Sequence, residues 1–141
     1  LITSSAASDV YKRQDEGWQG ADLIGIPVYG EDGYNKFVLA GECLDWAQEI
    51  LPEVKVGPFA TVQECSGSDE LGLERGARFS AICENMEGAA AAHVCALYGA
   101  PFLEIRAMSN RVEKRDRAQW DLVGAVARAQ KAAVQLLESR I

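Results

Sequence analysis

A chain of 141 residues, 48% of them apolar, has the size and composition to fold around one core. Its net charge of −7 and its scattered Lys and Arg argue against a nucleic-acid or membrane-surface partner and for a small ligand. No apolar run approaches the about 18 residues of a membrane span, and residue 1 onward lacks the basic-then-apolar order of a signal peptide. Cys43, Cys65, Cys83 and Cys95 form no C-x-x-C pair, and with His93 the sole histidine no metal spacing exists. They read as reduced thiols of a cytoplasmic protein.

In chain order, LITSSAASDVYKRQ (1–14) shows weak periodicity and is rich in Ser and Ala. It looks like adaptor or read-through sequence, or else a natural flexible tail. Either way it is set apart as a non-native or disordered tail, leaving 15–141 as one domain. ADLIGIPVYG (21–30) is a short apolar run and NKFVLA (35–40) is strand-like. ECLDWAQEIL (42–51) places Leu44, Ala47 and Leu51 on one helical stripe. VKVGPFATVQEC (54–65) reads as an extended strand with a bend at Gly57-Pro58. SDELGLERGARF (68–79) is a helix with Ser68 or Asp69 as N-cap. SAICE (80–84) is a short buried strand, and Met86 to Tyr98 is apolar nearly all round, which predicts a buried helix ended by Gly99 and Pro101. FLEIRAM (102–108) is the next strand. After a charged loop, Leu122, Val126, Ala129, Ala133 and Leu137 recur at helical spacing in a final amphipathic helix.

Alternating strands and helices imply β-α-β crossovers and an α/β layered domain, whose ligands sit at the carboxyl ends of the strands. Three segments end near that edge: Cys65-Ser66-Gly67, Glu84 to Glu87, and Ser109-Asn110. Asn85 suits the N-cap of the buried helix, which puts Glu87 in its first turn at the positive end of the dipole. There the carboxylate can serve the helix alone, or grip a vicinal diol with its two oxygens. Glu104 and Arg106, two apart on a strand, share a face and form either a structural ion pair or a group in which Arg106 stands beside Glu87. Ser109 and Asn110 are ordinary turn residues or, through the amide, readers of a purine edge. His93 is expected in the core and Glu84 facing the sheet interior. Trp120 is either a lid or an anchor for the last helix.

The stretch ENMEGAAAAHVCALYGAPFLEIRAMSN (84–110), with VGPF upstream and RDR shortly after, resembles the purine nucleoside phosphorylase and nucleosidase superfamily, and within it the futalosine hydrolase family. The likeness is most specific over 83–121. It implies a three-layer α/β/α sandwich around a mixed sheet, incomplete at the N-terminus. It implies hydrolysis of the N-glycosidic bond of futalosine, giving dehypoxanthine futalosine and hypoxanthine in menaquinone biosynthesis. The alternatives are a purine nucleoside phosphorylase, a methylthioadenosine/S-adenosylhomocysteine-type nucleosidase, or an inactive nucleoside-binding remnant. By resemblance Glu87 binds ribose, Met86 packs on ribose or base, and Arg106 positions the diol carboxylate or the water. Ser109-Asn110 takes the place of a Ser-Asp pair, and the Ser66-Gly67 turn lies on the base side. Asparagine cannot donate the full proton an aspartate gives to purine N7, which departs from the adenine pattern and suits a 6-oxopurine. The catalytic residues are thus Asn110 and Arg106, and the substrate-binding ones Met86, Glu87, Ser109, Ser66 and Gly67. No cofactor or metal is implied, and the full-length protein is expected to be a homo-oligomer. The superfamily's water-activating glutamate has no counterpart in residues 1–20, so the chain is expected to be the C-terminal part of a longer enzyme and inactive by itself.

Overall fold

A computed structural model describes residues 2–3, 5–8, 12–13, 17–18, 34, 36–38, 41–114 and 116–139. The apolar run at 21–30 lies outside the described residues. Among the described residues, eight short strands and four α-helices follow one another. They are β1 (Ile2–Thr3), β2 (Ser5–Ser8), β3 (Lys12–Arg13), β4 (Gly17–Trp18), β5 (Lys36–Val38), α1 (Gly41–Ile50), β6 (Phe59–Thr61), α2 (Asp69–Phe79), β7 (Cys83–Asn85), α3 (Gly88–Tyr98), β8 (Glu104–Ile105) and α4 (Leu122–Glu138). A 3-10 turn, Arg117–Gln119, precedes α4.

The main sheet has the order β5-β2-β6-β7. β2 and β6 run parallel, as do β6 and β7, whereas β5 runs antiparallel to β2, so the sheet is mixed. Residues 1–14, set apart from the fold on their composition, contribute Ser5–Ser8 as the strand between β5 and β6. Pairing here is a property of backbone groups, which a Ser/Ala run supplies as readily as a β-branched one, so side-chain patterning carries no sign of it. The strand read over 102–108 narrows to Glu104–Ile105, which pairs antiparallel with β1 rather than joining the main sheet.

Successive side chains of β6 point to opposite faces. Thr61 reaches the start of α3, where its Oγ1 accepts from Ala89 N (2.8 Å). Ala60 and Val62 instead pack with Phe79 of α2. Helices α2 and α3 therefore cover opposite faces of the sheet, which is the α/β/α layering. The unit β6-α2-β7 is a parallel crossover, and it delivers the ends of both strands to one edge.

Helix boundaries follow local chemistry. Ser68 caps α2, its Oγ accepting from Leu71 N (3.3 Å), and Asp121 caps α4, accepting from Gly124 N (2.9 Å). Gly99 ends α3 in the left-handed conformation, φ 63°. Ala47 and Leu51 are buried against Leu136, with Leu44 packed beside them, so the predicted stripe of α1 faces α4.

Two packing expectations fail. Helix α3 buries Gly88, Ala89 and Ala92 but leaves Val94, Leu97 and Tyr98 exposed, because nothing among the described residues covers that side. Helix α4 turns inward the face of Ala125, Ala132 and Leu136, leaving the predicted stripe residues Leu122, Val126 and Leu137 at the surface. The helix is apolar on both stripes, and docking against α1 selects between them.

Candidate active site

The Ser66-Gly67 turn, the Met86-Glu87 step, Arg106 and the Ser109-Asn110 pair all line one cleft of about 360 Å³ at the carboxyl ends of β6, β7 and β8. All three segments picked from the sequence as strand ends therefore converge.

The wall after β6 is held rigidly. Gly67 has φ 66°, a conformation that costs a side chain. Ser66 N donates to Glu84 Oε1 (2.9 Å), and Ser66 Oγ donates to Glu84 Oε2. Arg75, buried in α2, donates to Ser66 Oγ (3.0 Å) and Glu64 O (2.8 Å), and its Nη1 lies 3.6 Å from Glu84 Oε2. The Ser66 hydroxyl proton is thus spent on Glu84. Glu84, expected to face the sheet interior, is half-buried on the cleft and fastens this turn to β7. Arg75 is absent from the candidate residues of the sequence, although the sequence holds a signal: Leu71, Arg75 and Phe79 share a helical stripe, and an arginine on an apolar stripe needs a buried partner.

At the start of α3, Asn85 Oδ1 accepts from Glu87 N (3.1 Å), from Gly88 N (2.8 Å) and from Thr61 Oγ1 (3.0 Å). Asn85 thus satisfies the first helical donors from two residues before the helical boundary, while Glu87, at the N-cap position, makes no side-chain capping bond. The Glu87 carboxylate is left to the cleft, 72% exposed, where Arg106 Nη2 donates to its Oε2 (3.2 Å).

Arg106 bridges two carboxylates. Its Nε donates to Glu104 Oε1 (2.7 Å) while Nη2 turns to Glu87. Desolvation alone would lower the guanidinium pKa, but the bond and charge of Glu104, then those of Glu87, outweigh it and hold Arg106 above its ordinary value. The structural ion pair and the placement beside Glu87 are therefore both realised in one side chain. Beneath them Cys83 is buried, and burial pushes its thiol up to about 11 against the pull of the Arg106 charge.

Ser109 Oγ donates to Asn110 Oδ1 (2.7 Å), and Asn110 Nδ2 donates to Arg111 O (2.7 Å). Asp121 N donates to Ser109 O (2.8 Å) and Arg128 to Met108 O (3.2 Å), which ties this loop to the start of α4. Trp120 lines the cleft. His93 stands apart from it, its ring 5.2 Å from that of Phe37. Among the described residues no group of His, Cys, Asp and Glu is arranged to hold a metal ion, and no helix is long and apolar enough to cross a membrane.

Comparison with known proteins gives one direction. The chain is 35% identical over 123 residues to the futalosine hydrolase of Thermus thermophilus, a match covering 84% of this chain and 54% of that protein. It superposes on the futalosine hydrolase of Helicobacter pylori with a TM-score of 0.79 at 17% identity, covering 98% of this chain and 59% of that one. It also superposes on the S-adenosylhomocysteine nucleosidase of Streptococcus pyogenes, solved in complex with 5-methylthiotubericidin, with a TM-score of 0.76 at 20% identity, covering 98% and 58%. The chain thus spans rather more than half the length of each of these three proteins. The family model of the phosphorylase superfamily matches residues 25–141. With the mixed sheet, the layering and the cleft at the strand ends all in place, this chain belongs to the phosphorylase superfamily.

Proposed function

We propose that the protein carrying this chain hydrolyses the N-glycosidic bond of a purine nucleoside, futalosine, releasing hypoxanthine and leaving dehypoxanthine futalosine for menaquinone biosynthesis. The observation that carries the reading is Glu87, a carboxylate relieved of capping by Asn85 and met by Arg106 in the cleft it shares with Asn110. Its two oxygens take the two hydroxyl protons of the ribose diol, and Arg106 holds the carboxylate in place. Met86 packs on the sugar or base, and the Ser66-Gly67 turn forms the base-side wall through its backbone, since the Ser66 hydroxyl already serves Glu84.

In the reaction the C1′–N bond breaks, its electron pair leaves with the purine, and C1′ passes through an oxocarbenium-like state. Water adds to C1′ and loses one proton, while the departing purine gains one. Asn110 contributes by bridging the edge of a 6-oxopurine, which lowers the cost of charge building on the base. No cofactor enters. The four cysteines are free thiols, which fits a cytoplasmic enzyme, and a homo-oligomeric assembly accords with the apolar surfaces left on α3 and α4.

The test is chromatography of the products formed from futalosine by the full-length protein, with and without phosphate. Hypoxanthine released at a rate independent of phosphate is expected. A phosphate requirement with a sugar phosphate as product would move the protein to the phosphorylases, and release of adenine from an amino analogue in preference would remove Asn110 as the selector.

A further inference from the structure

Glu104 is 7% exposed, yet its carboxylate is only half satisfied: Oε1 receives Arg106 Nε (2.7 Å), and Oε2 is buried with no hydrogen-bond partner among the described residues. As a stability device this is a poor arrangement, because a buried ion pair recovers its desolvation cost only when the remaining lone pairs are also satisfied. Its surroundings are nevertheless built to keep it. The carboxylate rests over the first residue of α3, where the positive end of the helix dipole favours an anion. A Cβ placed on Gly88 would land on Oε2 and lie 2.8 Å from Cδ, so only glycine leaves room for the group.

We propose that Glu104 is a positioning residue that acts on the sugar through Arg106. It fixes the Nε edge of the guanidinium from below, so that Nη2 on the other edge meets Glu87 (3.2 Å) at the cleft. A planar guanidinium held on one edge has one orientation left for the other, and Glu87, 72% exposed, has little else to restrain it. Charge also favours this order of contacts: Glu104 offsets the Arg106 cation, leaving Glu87 oriented by the guanidinium rather than neutralised in a closed pair, with its acceptor oxygens available to a diol. The proposal rests on the reading of Glu87 and Arg106 as the sugar grip.

Four variants of the full-length protein test it: Glu104→Gln, Glu104→Leu, Gly88→Ala, and Glu87→Gln as the control. The first readout needs no substrate. The Arg106 Nε–H resonance should exchange slowly with water in the parent and in Glu87→Gln, and about tenfold faster or more in Glu104→Leu and Gly88→Ala. Where Glu104→Leu does not fold, Glu104→Gln keeps the shape and one acceptor and should show a smaller acceleration of the same resonance. The second readout compares ligands. Affinity for inosine should fall about tenfold in the Glu104 and Gly88 variants, while affinity for free hypoxanthine changes by less than about twofold. An unchanged Nε–H exchange in both Glu104 variants overturns the proposal, and so does a parallel loss for inosine and hypoxanthine, which is what a loosened fold produces. If the resonance behaves as expected but the parent neither binds nor cleaves any nucleoside, the hold of Glu104 on Arg106 stands and the proposed function falls.

Discussion

Asn110 comes to the cleft with both amide atoms engaged inside its own loop, Oδ1 by Ser109 and Nδ2 by the Arg111 carbonyl. On the proposed reading a purine edge replaces those two bonds with equivalents, so a base presenting donors where the amide needs an acceptor leaves a polar group unpaired. That mismatch costs about 1 to 3 kcal/mol. Asn110→Asp, which in its protonated form can donate a proton to the departing base, should shift preference toward the 6-amino base by about tenfold or more, read by chromatography of bases released from paired substrates. An unchanged ratio means that another group selects the base. Glu87→Gln keeps the shape at the sugar and removes the charge; its expected cost is about 2 kcal/mol in kcat/KM, the lower range for a charge-assisted contact because the side chain is largely exposed. A variant as active as the parent would end the diol assignment. Cys83 carries a pH prediction. Its thiol rises from an ordinary value of 9.0 to about 11, first through burial, so the folded state keeps the proton that the unfolded chain gives up. The stability linked to this proton is complete below pH 9.0 and is lost as pH climbs toward about 11. Urea unfolding from pH 7 to 11 should show a steeper alkaline decline for the parent than for Cys83→Ala. Parallel declines would place the linkage elsewhere.

Among the elements, α4 shows how far a periodic pattern can be trusted. Leu122, Val126 and Leu137 have helical spacing and the element is a helix, but the packed face is that of Ala125, Ala132 and Leu136. Leu136→Ala should therefore cost about 2 to 4 kcal/mol against α1, while Val126→Ala should stay within about 0.5 kcal/mol, both by urea unfolding. Comparable costs would mean that the two stripes are equally used. The same limit explains what was legible elsewhere. Capping chemistry is local, so Ser68 and Gly99 mark α2 and the end of α3 in the sequence itself, and the polar ends of three strands mark the cleft. Partner choice is not local. That Asn85 would draw in Thr61, that Glu84 would anchor Ser66 rather than face the sheet interior, and that Ser5–Ser8 would pair between β5 and β6 all depend on elements 18 or more residues apart, joined only by the fold.

At the scale of the whole chain, burial is uneven. Helices α2 and α3 sandwich the sheet, yet α3, the most apolar of the helices, presents Val94, Leu97 and Tyr98 to solvent, the last 83% exposed. Helix α4 adds Val123, Val126, Val134 and Leu137 on its outer side. Such residues scattered singly are ordinary on a protein surface, but here each helix carries a row of them, and the net charge of −7 is modest opposition to their association. The apolar area of Leu97 and Tyr98 together is enough to favour contact by several kcal/mol if covered, at about 25 cal/mol per Å². The 141-residue chain is therefore expected to sediment well above its 15.3 kDa monomer mass at tens of micromolar concentration. Leu97→Lys with Tyr98→Lys should shift it toward the monomer, because two cations on a shared apolar face must be desolvated for contact to persist. Because both positions are exposed in the folded chain, the double variant should keep the parent's circular dichroism, and its unfolding midpoint at concentrations too low for association, while its sedimentation at tens of micromolar changes. A parent that remains monomeric at about 100 micromolar would show that these rows are too dispersed to hold a partner.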